Sequence, residues 1–107
     1  MDGIGGAIDG VLKQLSGSLE KTVRPLYQKG KIPEARQELG IALQESLEDF
    51  ENMFGFPDSN GMGAMAKAVE LAARFTIEYG DLEEAKRLLE RNWAFAGGLP
   101  KFDNLKP

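Results

Sequence analysis

Two residue types central to protein chemistry are missing from this chain of 107 residues, which contains neither cysteine nor histidine. Without cysteine there is no disulfide and no thiol nucleophile. Without histidine the chain lacks the commonest general base and metal ligand, which rules out a Ser-His-Asp triad and argues against zinc, haem and iron–sulfur sites. Carboxylate, lysine or tyrosine chemistry stays open. We expect a non-enzymatic protein with no catalytic residue, no metal and no cofactor.

Long apolar runs are also absent. No stretch approaches the roughly 18 apolar residues of a membrane-spanning helix, so no membrane insertion is expected. The N-terminus has no basic flank and Asp9 interrupts its apolar residues, which is unlike a signal peptide. The hydrophobic fraction of 42% is ordinary for a globular chain. These features predict one cytoplasmic domain covering residues 1–107.

The charge pattern excludes one class of partner and suggests another. A net charge of −4 without a basic face argues against nucleic-acid binding. Five bases and one acid lie between Lys13 and Lys31, and six acids and one base lie between Glu34 and Glu51. These stretches either attract each other across a helical hairpin or offer a basic and an acidic patch to a partner.

Apolar residues at helical spacing predict an all-α fold of four helices in two antiparallel hairpins. The expected helices cover residues 4–29, 33–54, 62–79 and 81–95, and an ordered non-helical tail follows over residues 97–107. Pro25 should kink the first helix or restart it near Ser16–Ser18. Gly40, inside the second helix, suggests a close approach of another helix. The third helix is charged on one narrow stripe and should therefore be central. In the fourth helix, Ala85, Leu88, Leu89 and Trp93 should point inward.

A motif of the form GxGxxA begins at Gly61 and ends at Ala66. Such motifs bind dinucleotides when a β-strand precedes them, but no strand is predicted here. We interpret its small residues as a helix entry and as sites of close packing.

Two segments match at an offset of fifty residues. Gly30-Lys-Ile-Pro-Glu-Ala35 aligns with Gly80-Asp-Leu-Glu-Glu-Ala85, and Leu39 aligns with Leu89. In both segments a glycine ends one helix and the next helix begins at once. The pattern resembles the turn of tetratricopeptide repeats and covers about half of the chain. Val23 and Ala73 replace the glycine of the family's first helix, and the period is fifty instead of thirty-four. The resemblance implies a scaffold or adaptor that binds peptides or helices without catalysis.

Apolar residues near the interhelical loop and in the tail are the candidate partner-binding residues. Met and aromatic side chains form adaptable contact surfaces, although a set at one end of a bundle is also typical of core. The candidates are Met53, Phe54, Phe56, Met62 and Met65 near the loop, and Leu99, Phe102 and Leu105 in the tail. The tail residues should dock either on this chain or on a neighbour.

Two functions are consistent with these observations. The first is a small non-enzymatic protein–protein interaction protein: an adaptor, an assembly factor or a subunit of a larger complex, which binds a protein partner or a second copy of itself. The alternative is an acidic inhibitor or nucleic-acid mimic, for example phage-encoded, that acts on a DNA-binding enzyme. Its candidate residues are an acidic face formed by Glu45, Glu48, Asp49 and Glu51.

Overall fold

A computed structural model describes residues 3–55, 59–93 and 98–105. Within these ranges the chain is helical and has no strand, which confirms the all-α fold class. The helices are α1 (Gly3–Ser18), a π-helical turn (Leu19–Val23), α2 (Arg24–Gln28), α3 (Ile32–Phe54), α4 (Ser59–Glu78), α5 (Leu82–Asn92) and α6 (Phe102–Leu105). Residues 95 and 97, where the predicted fourth helix ends and the predicted tail begins, lie outside the described ranges.

The proline in the first helical segment is accommodated by a change of helix type. Pro25 lies in the first turn of α2, directly after the π-helical turn. Within the π-helical turn the Arg24 N–H donates to the Leu19 carbonyl, one residue further back than in an α-helix. A proline has no N–H to donate and its ring crowds the preceding turn. The helical path therefore adjusts at residues 19–23, after the predicted restart near Ser16–Ser18.

The matched turns have the same backbone structure. Gly30 has φ 76° and Gly80 has φ 78°, a left-handed conformation that favours glycine. The N–H of Lys31 donates to the Leu26 carbonyl at 2.9 Å, and the N–H of Asp81 donates to the Thr76 carbonyl at 2.9 Å. The N–H of Gly30 also donates to the Tyr27 carbonyl, and the N–H of Gly80 donates to the Ile77 carbonyl. Both turns are therefore Schellman motifs, which end α2 and α4.

Helix α4 is buried on most of its surface. Ala68, Val69, Ala72, Ala73 and Thr76 are inaccessible to solvent, and α4 packs against α1, α3 and α5. The prediction of a central third helix is therefore confirmed. Leu15, Leu19 and Val23 pack into the same core from the first helical segment, and Leu39 and Phe50 do so from α3.

The glycines of the helix interiors serve different purposes. A Cβ at Gly61 would lie 3.0 Å from Cβ of Phe54, so Gly61 does provide close packing between α3 and α4. A Cβ at Gly40 would meet no atom within 4 Å. Among the described residues no helix approaches Gly40 closely, because that side of α3 is open.

The oppositely charged arms of the first hairpin do not form ion pairs with each other in the described ranges. Arg24 instead pairs with Glu20 and Glu78, and Arg36 pairs with Asp81. Close electrostatic contacts thus join the first half of the chain to the second. The reason is geometric, since α2 ends and α3 begins beside the turn at Gly80.

The C-terminal segment forms a short helix where non-helical structure was expected. The Asn104 N–H donates to the Lys101 carbonyl at 3.0 Å, which closes a single turn over residues 101–104 at the start of α6. Leu99 and Leu105 are buried in the chain's own core and Phe102 packs against it. These side chains therefore dock on this chain.

Candidate protein-binding site

A network of charged and aromatic side chains joins the two matched turns. Arg36 of α3 donates from Nε to Oδ2 of Asp81 at 2.9 Å and from Nη2 to Oδ1 at 2.6 Å. The Tyr27 hydroxyl at the end of α2 donates to Oδ2 of the same carboxylate at 2.7 Å. The Asp81 side chain is only 7% exposed, so these bonds replace most of its hydration.

Asp81 also caps helix α5. Its Oδ1 accepts from the Glu84 N–H at 3.4 Å. The Arg36 guanidinium lowers the pKa of the Asp81 carboxyl, and the Tyr27 hydroxyl lowers it further. Burial raises the pKa of the Tyr27 phenol, and the bond to Asp81 adds to this effect. Asp81 thus stays ionised and Tyr27 stays protonated, which suits a fixed structural contact better than proton transfer.

Glu84 extends this network along α5. It is buried, and its Oε1 accepts from Nε of Arg87 at 2.9 Å while lying 3.8 Å from Nε of Arg36. A buried carboxylate is costly unless it is paired, and two guanidinium groups provide that pairing.

Aromatic rings pack beside the network. Tyr27 stacks on Tyr79 with ring centroids 5.0 Å apart, and Phe75 lies 5.3 Å from Tyr79. The Arg24 guanidinium lies 5.7 Å from the Phe75 centroid and 5.4 Å from the Tyr79 centroid. Its bond to Glu20 raises the pKa of Arg24 and lowers that of Glu20. This part of the structure holds α2 against α4.

The predicted loop cluster is divided between surface and core. Met53 is exposed at the end of α3, whereas Phe54 is half-buried and stacks on Phe50 with centroids 6.4 Å apart. Met62 is half-buried and Met65 is only 2% exposed, so Met65 is a core residue and presents no surface to a partner. Phe56 lies outside the described residues.

An apolar pocket lies between the end of α5 and the C-terminal segment. It has a volume of about 370 Å³ and is lined by apolar and charged side chains: Lys86, Leu89, Glu90, Trp93, Pro100, Lys101 and Phe102. Of the predicted tail residues, Phe102 lines this pocket, while Leu99 and Leu105 are buried in the core and do not line it. The structure thus brings one predicted partner-binding residue together with several residues that the sequence analysis did not assign to a binding site.

Trp93 is the main departure from the sequence prediction at this pocket. It was expected to point inward, but it is 61% exposed. Helix α5 ends at Asn92, and it is Asn92 that is buried, with Nδ2 donating to the Leu88 carbonyl at 2.7 Å. Trp93 keeps a helical backbone, with φ −57° and ψ −40°, and so continues the stripe of Leu89. Its side chain nevertheless lies at the edge of the core and is largely in water.

The predicted acidic face lies along the outer side of α3. Glu45, Glu48 and Glu51 are exposed and Asp49 is half-buried. None of the four forms an ion pair with another described residue; Glu48 only accepts from the Gln44 amide at 3.4 Å. In the parts of the chain that the structure describes, no group of acidic residues is arranged to hold a metal ion.

Comparison with known proteins gives no relative from which a role can be transferred: the chain matches no family model, no curated protein and no solved structure. None of the helices in the described ranges combines the length and apolar character that crossing a membrane requires.

Proposed function

We propose that this chain is a small non-enzymatic protein–protein interaction protein, an adaptor, assembly factor or subunit of a larger complex. The observation that carries the proposal is the exposure of Trp93 beside an apolar pocket. A large aromatic side chain left in water at a concave apolar site is typical of a binding hot spot, because covering it releases much apolar surface from water.

The chemistry of the pocket defines the kind of partner. Leu89, Pro100 and Phe102 provide apolar contacts, while Lys86 and Lys101 place two ammonium groups at the edge beside a single acid, Glu90. A peptide or helix with one large apolar side chain next to a carboxylate fits this arrangement. The apolar side chain supplies most of the affinity and the carboxylate supplies orientation.

The proposal includes an architecture and a location. The two matched turns favour two helical hairpins of tetratricopeptide type, with the C-terminal segment covering one end of the bundle. Such hairpins commonly present helix surfaces to other proteins, which is consistent with an adaptor. A cytoplasmic location belongs to the same proposal.

Capture of a partner on an affinity-tagged chain tests the proposed site. We expect the wild-type chain to retain a partner that the Trp93→Ala variant loses. Leu82→Ala is the matched control, because Leu82 is also an exposed apolar residue but lies at the N-terminal end of α5, away from Trp93. Loss of the partner with both variants, or with neither, contradicts a site at Trp93. A wild-type chain that binds no partner and no second copy contradicts the function.

The acidic inhibitor or nucleic-acid mimic remains a second candidate, because the acidic face of α3 has no ion pairs among the described residues. Unpaired carboxylates along one helix resemble a row of phosphates to a basic protein surface. The double variant Glu48→Lys/Asp49→Lys separates the two functions. A mimic should lose binding steeply and show strong salt dependence, whereas a partner held at Trp93 should bind nearly as before.

A further inference from the structure

A second concave surface lies between α3 and α5. This groove has a volume of about 720 Å³. Gly40, Ile41 and Glu45 line it from α3, and Glu84, Arg87 and Arg91 line it from α5. Arg91 and Trp93 are two positions apart, which places them on opposite sides of the helix. The groove is therefore a different surface from the Trp93 pocket.

The α3 side of the groove carries an exposed apolar side chain beside an open glycine. Ile41 is 47% exposed, and a Cβ at Gly40 would meet no atom within 4 Å. A glycine in a helix interior is about 1 kcal/mol less favourable than alanine. No contact among the described residues explains this glycine, but the bare backbone beside an exposed isoleucine allows another helix to approach closely.

The charges of the groove cancel except for one residue of each sign. Arg36, which also lines the groove, is bound to Asp81, and Arg87 is bound to Glu84. Arg91 on the α5 side and Glu45 on the α3 side remain, and neither forms an ion pair with any described residue. A ligand of a single charge sign would satisfy one of these residues and be repelled by the other.

We propose that a second copy of this chain occupies the groove, in a two-fold symmetric dimer that pairs Arg91 of each protomer with Glu45 of the other. Two-fold symmetry brings the same surface patch together twice, so the cation and the anion are each satisfied once per protomer. Ile41 and the open surface at Gly40 are covered in the same contact. The dimer goes beyond the proposed function, since it requires no binding at Trp93.

Complementary charge reversal tests the pairing directly. Arg91→Glu leaves two acids without an ion-pair partner in one protomer's groove, and Glu45→Arg leaves two such bases there. Each single variant should weaken self-association at least roughly tenfold, measured by light scattering during size-exclusion chromatography at several concentrations. An equimolar mixture of the two variants should form a heterodimer, and the double variant Glu45→Arg/Arg91→Glu should dimerise like the wild type.

Several outcomes overturn this inference. They are a wild-type chain that is monomeric at all concentrations, single variants that dimerise normally, and a mixture that stays monomeric. Circular dichroism checks that the exposed substitutions leave the helices intact. Because none of these variants alters Trp93, failure of the dimer leaves the capture experiment on the Trp93 pocket unaffected.

A second pair of variants tests the close approach. Gly40 and Gly17 are both exposed helical glycines at which a Cβ would meet no atom within 4 Å. Gly40→Gln should weaken the dimer at least roughly tenfold by blocking the groove, while Gly17→Gln on α1 should leave it unchanged. Equal effects of the two substitutions contradict a contact at Gly40.

Discussion

The rings of Tyr27 and Tyr79 stack with their centroids 5.0 Å apart and their planes 4° from parallel, but their hydroxyl groups differ. The Tyr27 hydroxyl donates to Asp81 at 2.7 Å. The Tyr79 hydroxyl is buried without a hydrogen-bond partner among the described residues. One hydroxyl therefore stabilises the fold, and the other carries a desolvation penalty without compensation.

The two tyrosines should respond oppositely to the same substitution. Tyr27→Phe removes a hydrogen bond to a buried carboxylate and should reduce the free energy of unfolding by about 1.5–3 kcal/mol. Tyr79→Phe removes an unpaired hydroxyl and should leave that free energy unchanged or raise it by up to about 1 kcal/mol. Urea denaturation of both variants provides the measurement. A similar loss of unfolding free energy in both variants would show that the Tyr79 hydroxyl does have a hydrogen-bond partner.

Asp81 should dominate the acid sensitivity of the fold. In the folded chain the pKa of Asp81 lies below its ordinary value of 3.8. The stability that ionised Asp81 contributes is therefore fully present above pH 3.8 and is lost as the pH falls through the lowered pKa. Asp81→Asn should lower the free energy of unfolding at neutral pH by about 2–3 kcal/mol, since Arg36 loses its charged partner but can still reach water.

Chemical denaturation at a series of pH values measures this effect. Between neutral pH and strong acid, the wild-type chain should lose more stability than the Asp81→Asn variant. Glu83→Gln is the matched control, because Glu83 lies 3.8 Å from the same Arg36 but its side chain is 86% exposed. It should change stability by less than about 0.5 kcal/mol. Parallel pH profiles for the wild type and Asp81→Asn would assign the acid sensitivity to another group.

Glycine-to-alanine substitutions should have opposite effects on the free energy of unfolding at the two turns and in α3. Gly30→Ala and Gly80→Ala force a Cβ into the left-handed conformation and should each destabilise the chain by about 1–2 kcal/mol. Gly40→Ala lies in a regular helix with open space around it and should stabilise the monomer by up to about 1 kcal/mol. Thermal unfolding at a concentration where the chain is monomeric is the measurement. Destabilisation by Gly40→Ala would reveal a contact there within the monomer.

The sequence predicted the local structure well and the long-range contacts poorly, for a physical reason. The helix ends at Gly30 and Gly80 follow from residues close in the chain, because a Schellman motif is a local hydrogen-bonding pattern. The contact of Tyr27 and Arg36 with Asp81 joins residues 54 and 45 positions apart. Its formation depends on how the helices pack, which periodicity does not specify.

The candidate site shows the same division. Phe102 was predicted to be a candidate partner-binding residue because it is an apolar residue in a segment without periodicity. In the structure it lines the apolar pocket. Trp93 was predicted to be inward because it continues the helical stripe of Leu89. The stripe gives the direction of a side chain but not the extent of the core, and α5 ends at Asn92. The core thus ends before the apolar stripe does, which leaves Trp93 exposed.

Trp93 is the chain's single tryptophan, so its fluorescence reports on the proposed binding site without a label. In the free chain, acrylamide should quench its emission strongly, because the side chain is largely in water. A partner that occupies the pocket should protect Trp93 from the quencher, as the indole is then buried. Self-association through the α3–α5 groove should leave quenching nearly unchanged, because Arg91 and Trp93 lie on opposite sides of α5. Protection that grows with the concentration of the chain itself, and persists in Arg91→Glu, would instead place the dimer interface at Trp93.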